Sequence, residues 1–76
     1  MFSEPMWKQI AGRLGLSERQ LQIVRGVFDD LTEYAIALEL SISPHTVHAH
    51  FNRLYQKLAV RTRVELVLRI MSESSA

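Results

Sequence analysis

Apolar residues recur at intervals of three and four along this chain, and nowhere do apolar and polar residues alternate for long enough to form a strand. This spacing predicts α-helices that each bury one face. Because 76 residues make one small domain, the sequence predicts a small all-α fold. We expect four core helices with an additional helix at the N-terminus, about five in total.

Capping residues predict where the helices begin. Ser17 precedes Gln20 by three residues and Thr62 precedes Glu65 by three, which is the spacing of a capping box. Ser43 is followed by Pro44, a residue suited to the first helical turn. The predicted helices are Pro5–Arg13, a helix that follows Ser17 and ends before Asp29, Thr32–Leu40, Ser43–Leu58 and Thr62–Met71.

The predicted helices group into three consecutive parts of the chain. Residues 1–15 are expected to form an N-terminal amphipathic helix, and residues 16–71 the main helical domain. Residues 72–76 are small and polar, so we expect this tail to fray.

Composition excludes several classes of protein. The chain has no cysteine, which rules out disulfides and thiolate chemistry, and its three glycines form no phosphate-binding loop. It has no apolar run near the roughly 20 residues of a membrane span and no signal-peptide pattern, so we expect a cytoplasmic protein without membrane contact. His45 and His48 alone would make a poor metal site. No catalytic, cofactor or small-molecule motif is present, so we do not expect an enzyme.

The charges lie unevenly along the chain, although the net charge is only +1. The stretch Ser41–Val64 contains no acid, but it holds four Lys or Arg residues and all three histidines. Such a segment is a candidate for a surface that faces phosphate, although an ordinary solvated surface has the same pattern.

The middle of the chain has the layout of a helix-turn-helix, because a short helix, a tight turn and the longer helix Ser43–Leu58 follow one another. The major groove of DNA is about 12 Å wide and admits one helix. The N-terminus of a helix offers free N–H groups to phosphate. On the outer face of this helix, Asn52 could read adenine, Ala49 could contact a thymine methyl, and His48 could donate to guanine or phosphate.

Four blocks of sequence resemble the LuxR (GerE-like) family of helix-turn-helix regulators, and they occur in the family's order and spacing over about residues 16–70. The Ile-Ala-x-x-Leu-x-Ile-Ser block and the Lys-Leu-x-Val-x-x-Arg block are met in full, and the other two in part. The blocks are Leu16–Gln20, Ile36–Ser43, Thr46–His50 and Lys57–Arg63.

The resemblance implies a domain that binds double-stranded DNA. It places the base contacts on His48, Ala49 and Asn52. It places the contacts to the DNA backbone on Thr46, Lys57 and the neighbouring Ser43 and His45, and Arg53 on the same outer face adds another cation. A regulator of this kind would work on the DNA of the nucleoid.

The last predicted helix is apolar around most of its circumference, so it must be covered on two sides. In so small a domain, the second cover is expected to be another copy of the chain. The resemblance likewise implies a homodimer that pairs through this helix. The residues expected at that interface are Val64, Val67, Leu68 and Met71.

The chain departs from the family pattern near the expected DNA surface. His48 stands where lysine is usual, Asp29 and Asp30 stand near a usual glycine, and Tyr34 and Ala35 replace a common Lys-Glu pair. These changes remove positive charge or add negative charge, and phosphate attraction supplies most non-specific affinity for DNA. We therefore predict weaker and more pH-sensitive DNA binding than in a typical relative.

Several alternatives stay open on sequence alone. The domain could resemble region four of sigma factors, or it could be an interaction module that dimerises with a DNA-binding regulator and inhibits it. Ile10–Ser17 resembles Ile36–Ser43, so a second helix-turn-helix could begin at the first helix. Arg63 could contact phosphate or be solvated, although a cation at a helix start favours a specific partner. Trp7 could lie in the core or at a dimer contact.

Overall fold

The computed structural model describes residues 2–74 as five α-helices, with no strand among those residues. The all-α prediction is therefore confirmed. The helices are α1 (Glu4–Leu14), α2 (Glu18–Phe28), α3 (Glu33–Leu40), α4 (Pro44–Leu58) and α5 (Arg63–Ser74).

The predicted caps begin the helices because their side chains satisfy backbone N–H groups that have no partner within the helix. Ser17 Oγ accepts from the N–H of Gln20 at 3.1 Å, and Gln20 Oε1 accepts from the N–H of Ser17 at 2.9 Å, which completes the capping box. The box at α5 is only half formed. Thr62 Oγ1 accepts from the N–H of Glu65 at 3.1 Å, but the Glu65 carboxylate accepts from Arg61 instead of Thr62.

The turns before α2 and α4 have the same geometry. Gly15 (φ 67°) and Ser41 (φ 56°) each end a helix in the left-handed region, and Ser17 and Ser43 each cap the next helix. The N–H of Leu16 bonds to the carbonyl of Ala11, as that of the corresponding Ile42 does to Ala37. The sequence echo between the two segments is therefore a repeated turn.

Asp30 explains one departure from the family pattern. Its φ is 60°, which lies in the left-handed region that favours glycine. Aspartate tolerates this region better than most residues do. The turn requires this backbone conformation at position 30, and in this chain an aspartate adopts it.

One apolar core holds the five helices together. All four apolar residues that line one side of α4 are buried in this core. The first helix, α1, packs against α5 and contributes two residues to the same core. The buried apolar residues are Trp7, Ile10, Ile23, Val24, Val27, Ile36, Ala37, Val47, Phe51, Leu54, Leu58, Leu66 and Ile70.

An aromatic cluster fixes the N-terminal segment against α2. Trp7 packs edge-on to Phe2 and Phe28, with ring centroids 5.0 and 5.2 Å apart. The Arg25 guanidinium lies 5.5 Å from the Trp7 ring centroid and forms an ion pair with Glu4 at 2.6 Å. Trp7 is therefore a core residue of its own chain.

The last helix runs three residues past Met71, so the expected fraying is corrected for residues 72–74. Arg69 pairs with the Glu73 carboxylate at 2.9 Å, and Arg13 of α1 donates to the Glu73 carbonyl at 3.1 Å. These contacts continue the helix through a polar stretch. Residues 75 and 76, also expected to fray, lie outside the described residues.

Candidate nucleic-acid interface

The unit made by α3, the turn at residues 41–43 and α4 presents the N-terminus of α4 to solvent. Ile36 and Ala37 of α3 lie in the core together with Val47 and Phe51 of α4, and the small Ala37 permits close packing. The first residues of α4, from Ser43 through Thr46, are all exposed. Because Pro44 has no N–H and the Thr46 N–H donates to Ser43 Oγ, the N–H of His45 is the one in the first three residues of α4 that is open to an anion.

The face of α4 opposite its core stripe is polar. His45, Asn52 and Gln56 are exposed there, and Ala49 between them is half-buried. Their spacing of four, three and four residues places them in one row along the helix. Arg53 flanks this row, and its guanidinium forms no hydrogen bond or ion pair with any of residues 2–74.

The hydroxyl groups of Ser43 and Thr46 form a hydrogen bond with each other. Ser43 Oγ accepts from the N–H of Thr46 at 3.0 Å, and the two hydroxyl oxygens are 2.9 Å apart. Because a single O–H joins the two oxygens, the other hydroxyl keeps a proton that it can donate outward. One donor therefore stays available at the start of α4.

An acid lies beside the expected reading face, although none is present on α4 itself. Glu33 Oε1 of α3 is 3.2 Å from Nδ1 of His48, and both side chains are partly exposed. The acid-free stretch of sequence therefore does not give an acid-free surface. The sequence held no signal for this pair, because the two residues meet only when α3 packs on α4.

Lys57 points along α4 toward α2. Its ammonium donates to the carbonyl of Gly15 and to Gln20 Oε1, the latter at 3.2 Å. The side chain is exposed, but its hydrogen bonds hold it to the turn between α1 and α2. The first turn of α2 carries the acid Glu18, and the Gly15 carbonyl and Gln20 Oε1 next to it accept from Lys57, so this helix start differs from that of α4, whose first turn has no acid.

Arg63 forms a hydrogen bond within its own chain. Its guanidinium donates to the backbone carbonyl of Leu31, and the residue is half-buried. Arg63 therefore ties the start of α5 to the loop between α2 and α3. The unusual position of a cation at a helix start was the signal in the sequence that it had a specific partner.

The fifth helix has one buried face and one exposed apolar face. Leu66 and Ile70 lie in the core, whereas Val64, Leu68 and Met71 are 68%, 59% and 49% exposed. Val67 is half-buried beside them. A shallow cleft runs along this face, lined by Val27, Asp30, Arg63, Val64, Val67 and Leu68.

No helix within residues 2–74 is long and apolar enough to span a bilayer. These residues also contain no group of three or more potential metal ligands, and His45 and His48 are not joined by a third one.

The fold and the α3–turn–α4 unit define a helix-turn-helix domain. The chain belongs to the luxR family of bacterial regulatory proteins, because the GerE family model matches residues 14–70. Of the two helix-turn-helix families that the sequence suggested, the match favours this one over the sigma-factor module.

Similar proteins carry the names of transcriptional regulators. The transcriptional regulatory protein UhpA of Salmonella typhimurium is 39% identical over 64 residues, which cover 83% of this chain and 33% of UhpA. The nitrate/nitrite response regulator protein NarP of Escherichia coli is 34% identical over 61 residues, which cover 80% of this chain and 28% of NarP.

A putative HTH-type transcriptional regulator of Mycobacterium bovis is 38% identical over 52 residues, which cover 68% of this chain and 6% of that protein. The chain thus spans a third or less of the length of these three relatives. No solved structure matches the chain.

Proposed function

We propose that this chain is the DNA-binding part of a transcriptional regulator, with the Ser43–Leu58 segment lying in the major groove. The observation that carries the proposal is the exposed outer row of α4, which has donors and cations, no acid of its own, and an open N-terminus. The names of the relatives support the same function. The regulator would act on the DNA of the bacterial nucleoid in the cytoplasm.

The proposed base contacts are His48, Ala49 and Asn52. Asn52 can donate to N7 and accept from N6 of adenine in a bidentate contact, and Ala49 can pack on a thymine methyl. Exposure of His48 and Asn52 supports this assignment.

The proposed contacts to the DNA backbone surround the base-reading residues. The hydroxyl donor of Ser43 and Thr46 lies at the start of α4, next to His45, where a phosphate would also meet the helix dipole. The Arg53 guanidinium suits this role, because it forms no hydrogen bond or ion pair with residues 2–74. Lys57 would contact phosphate only by sharing or leaving its hydrogen bonds to Gly15 and Gln20.

We propose that two copies pair through α5. Support comes from the exposed apolar face of α5, because burying large apolar side chains between two copies would stabilise so small a domain. The residues of this face are Val64, Val67, Leu68 and Met71. Two domains related by a twofold axis would read a palindromic site.

Selection from a random DNA pool, followed by anisotropy titration of the enriched duplex, tests the proposal. We expect a short palindrome to be enriched, and Asn52→Ala to weaken binding by about 1–3 kcal/mol, or roughly five- to 150-fold. Gln22→Ala is the matched control, because Gln22 is an exposed amide on α2. If no sequence is enriched and the wild type ignores duplexes at low salt, the proposal is wrong.

One observation favours a second candidate function. Glu33 places negative charge beside the reading face, and the net charge of +1 is low for a DNA-binding domain. Both features suit an interaction module that forms a heterodimer through α5 with a DNA-binding regulator and inhibits it. Under that alternative, Asn52→Ala leaves inhibition intact, whereas Leu68→Glu abolishes it.

A further inference from the structure

Glu33 and His48 meet across the helix-turn-helix unit, at the edge of the proposed reading face. Glu33 is the first residue of α3, and its Oε1 lies 3.2 Å from Nδ1 of His48, one turn into α4. The His48 side chain is 60% exposed and the Glu33 side chain 40% exposed. Glu33 therefore contacts a proposed base-reading residue from outside the reading helix.

The chemistry of this contact determines which nitrogen of His48 carries a proton. An ionised carboxylate can only accept hydrogen bonds, so the Nδ1 that faces it must be the donor. In a histidine, the partner of one ring nitrogen sets the tautomer and hence the role of the other nitrogen. With Nδ1–H directed to Glu33, Nε2 is the nitrogen left for another partner.

We propose that Glu33 is a positioning residue, which holds Nδ1–H of His48 and leaves Nε2 for the DNA, so that the base His48 prefers changes with pH. The inference rests on the proposed function and adds to it a residue that none of the sequence motifs includes. In neutral His48, Nε2 accepts a hydrogen bond, as from N6 of adenine or N4 of cytosine. In protonated His48, Nε2–H donates, as to O6 or N7 of guanine.

The other titratable or charged groups near the pair are Tyr55, Arg63 and His45. Burial raises the pKa of Tyr55 above its ordinary value of 10.0, with the charge of Glu33 adding to the rise and that of Arg63 opposing it, so the Tyr55 hydroxyl stays neutral. Arg63 is held by the Leu31 carbonyl and stays charged. His45 lies three residues before His48 on the same helix and needs its own control.

The sign of the pH effect follows from the charge of the pair. Glu33 and neutral His48 together carry one negative charge beside the phosphates, and protonation of His48 cancels it. Affinity for DNA therefore rises as the pH falls from 8 to 6, on the order of three- to tenfold for one exposed charged contact. Glu33→Gln keeps an acceptor oxygen but removes the charge, so it should raise the affinity for DNA at pH 8.

The tautomer can be measured in the free protein. Nitrogen-15 chemical shifts of the His48 ring at pH 8 should show the proton on Nδ1, and Glu33→Ala should move the population toward Nε2–H. Circular dichroism confirms that the variant keeps its helices. A wild-type ring with its proton on Nε2, or a ring that is insensitive to Glu33→Ala, overturns the inference.

The DNA consequence is measured by anisotropy with the selected duplex and with its single-base-pair variants, at pH 6 and pH 8. We expect the preferred base pair at one position to shift toward guanine at pH 6 in the wild type, and Glu33→Ala, which removes the acceptor for Nδ1–H, to reduce that shift. Glu39→Gln, an exposed acid on the same helix, is the control for charge alone, and His45→Asn is the control for the other histidine.

The two proposals fail in different ways. A base preference that is the same at pH 6 and pH 8, or one that shifts with pH as much in Glu33→Ala as in the wild type, overturns the role of Glu33 while DNA binding stands. Failure of the wild type to bind any duplex overturns the proposed function itself, whatever the tautomer of His48.

Discussion

Lys57 and Gln20 join the last turn of α4 to the first turn of α2, since the Lys57 ammonium donates to Gln20 Oε1 at 3.2 Å. The same oxygen accepts from the N–H of Ser17 at 2.9 Å and closes the capping box of α2. One amide oxygen therefore serves both a helix start and the contact between two helices. The contact between the end of α4 and the start of α2 therefore uses the same acceptor as the helix cap.

Replacing Lys57 separates its structural role from a role in DNA binding. We expect Lys57→Met to lower the free energy of unfolding by about 0.5–1.5 kcal/mol, because the donor to Gly15 and Gln20 is lost. Arg53→Met is the matched control, since it removes a cation with no partner among residues 2–74 and should weaken DNA binding without destabilising the fold. Urea unfolding compares the two variants, and equal stabilities would contradict the assignment.

Replacement by alanine should change the stability of the fold in opposite directions at Gly26 and at Gly12. A Cβ at Gly26 would lie 2.8 Å from Cγ1 of the buried Ile36, whereas a Cβ at Gly12 would meet nothing within 4 Å. Overpacking costs about 1–3 kcal/mol and exceeds the gain in helix propensity of about 1 kcal/mol, so Gly26→Ala should destabilise the fold by up to about 2 kcal/mol. Gly12→Ala should stabilise it by about 0.5–1 kcal/mol. Thermal and urea unfolding check both signs, and a stabilised Gly26→Ala would show that α2 and α3 are less tightly packed than described.

A charge on the exposed face of α5 tests the proposed dimer. Leu68→Glu should leave a monomer at concentrations where the wild type sediments as a dimer, because the glutamate would be buried without a partner at the interface. Leu38→Glu is the control, since Leu38 is an equally exposed leucine (66%) on α3. A wild type that sediments as a monomer at high concentration contradicts the dimer.

The ion pair between Glu4 and Arg25 should make stability depend on acid pH. The hydrogen bond from Arg25 lowers the pKa of Glu4 below its ordinary value of 4.5, and the positive charges of Arg25 and Lys8 add to this. A lowered carboxyl pKa stabilises the fold above pH 4.5, and this contribution is lost as the pH falls through the folded-state pKa. Glu4→Gln should therefore lower the melting temperature at pH 7, and its difference from the wild type should shrink as the pH falls below 4.5.

Glu18→Gln provides the control for this prediction. Glu18 lies in the first turn of α2 and forms no ion pair within residues 2–74, so it reports the effect of a carboxylate at a helix start alone. The loss in Glu4→Gln at pH 7 should exceed the loss in Glu18→Gln. Equal losses would mean that the ion pair contributes nothing beyond the helix dipole.

Local chemistry made most of the fold predictable. The starts of α2, α3 and α4 follow from Ser17, Thr32 and Ser43, because each cap acts on an N–H only three residues away. The core stripe of α4 follows from helical spacing in the same way. The last helix was predicted as far as Met71, but its extension over residues 72–74 was not, because contacts of Glu73 with Arg69 and Arg13 override the weak helix propensity of this polar segment.

The contacts around the candidate site were less predictable. Glu33 and His48 are 15 residues apart in sequence, and Lys57 and Gln20 are 37 apart. No local pattern indicates such a pair, since each depends on how two helices cross. The proposed base contacts, backbone contacts and dimer residues stay predictions, because they concern partners that this structure does not contain.

An amide NMR titration of the protein with the selected duplex tests most directly whether α4 binds DNA. We expect the largest changes in chemical shift on residues 43–56 and few changes on α1. Changes confined to other helices, or none at saturating duplex in low salt, would contradict the claim that α4 is the surface that binds DNA.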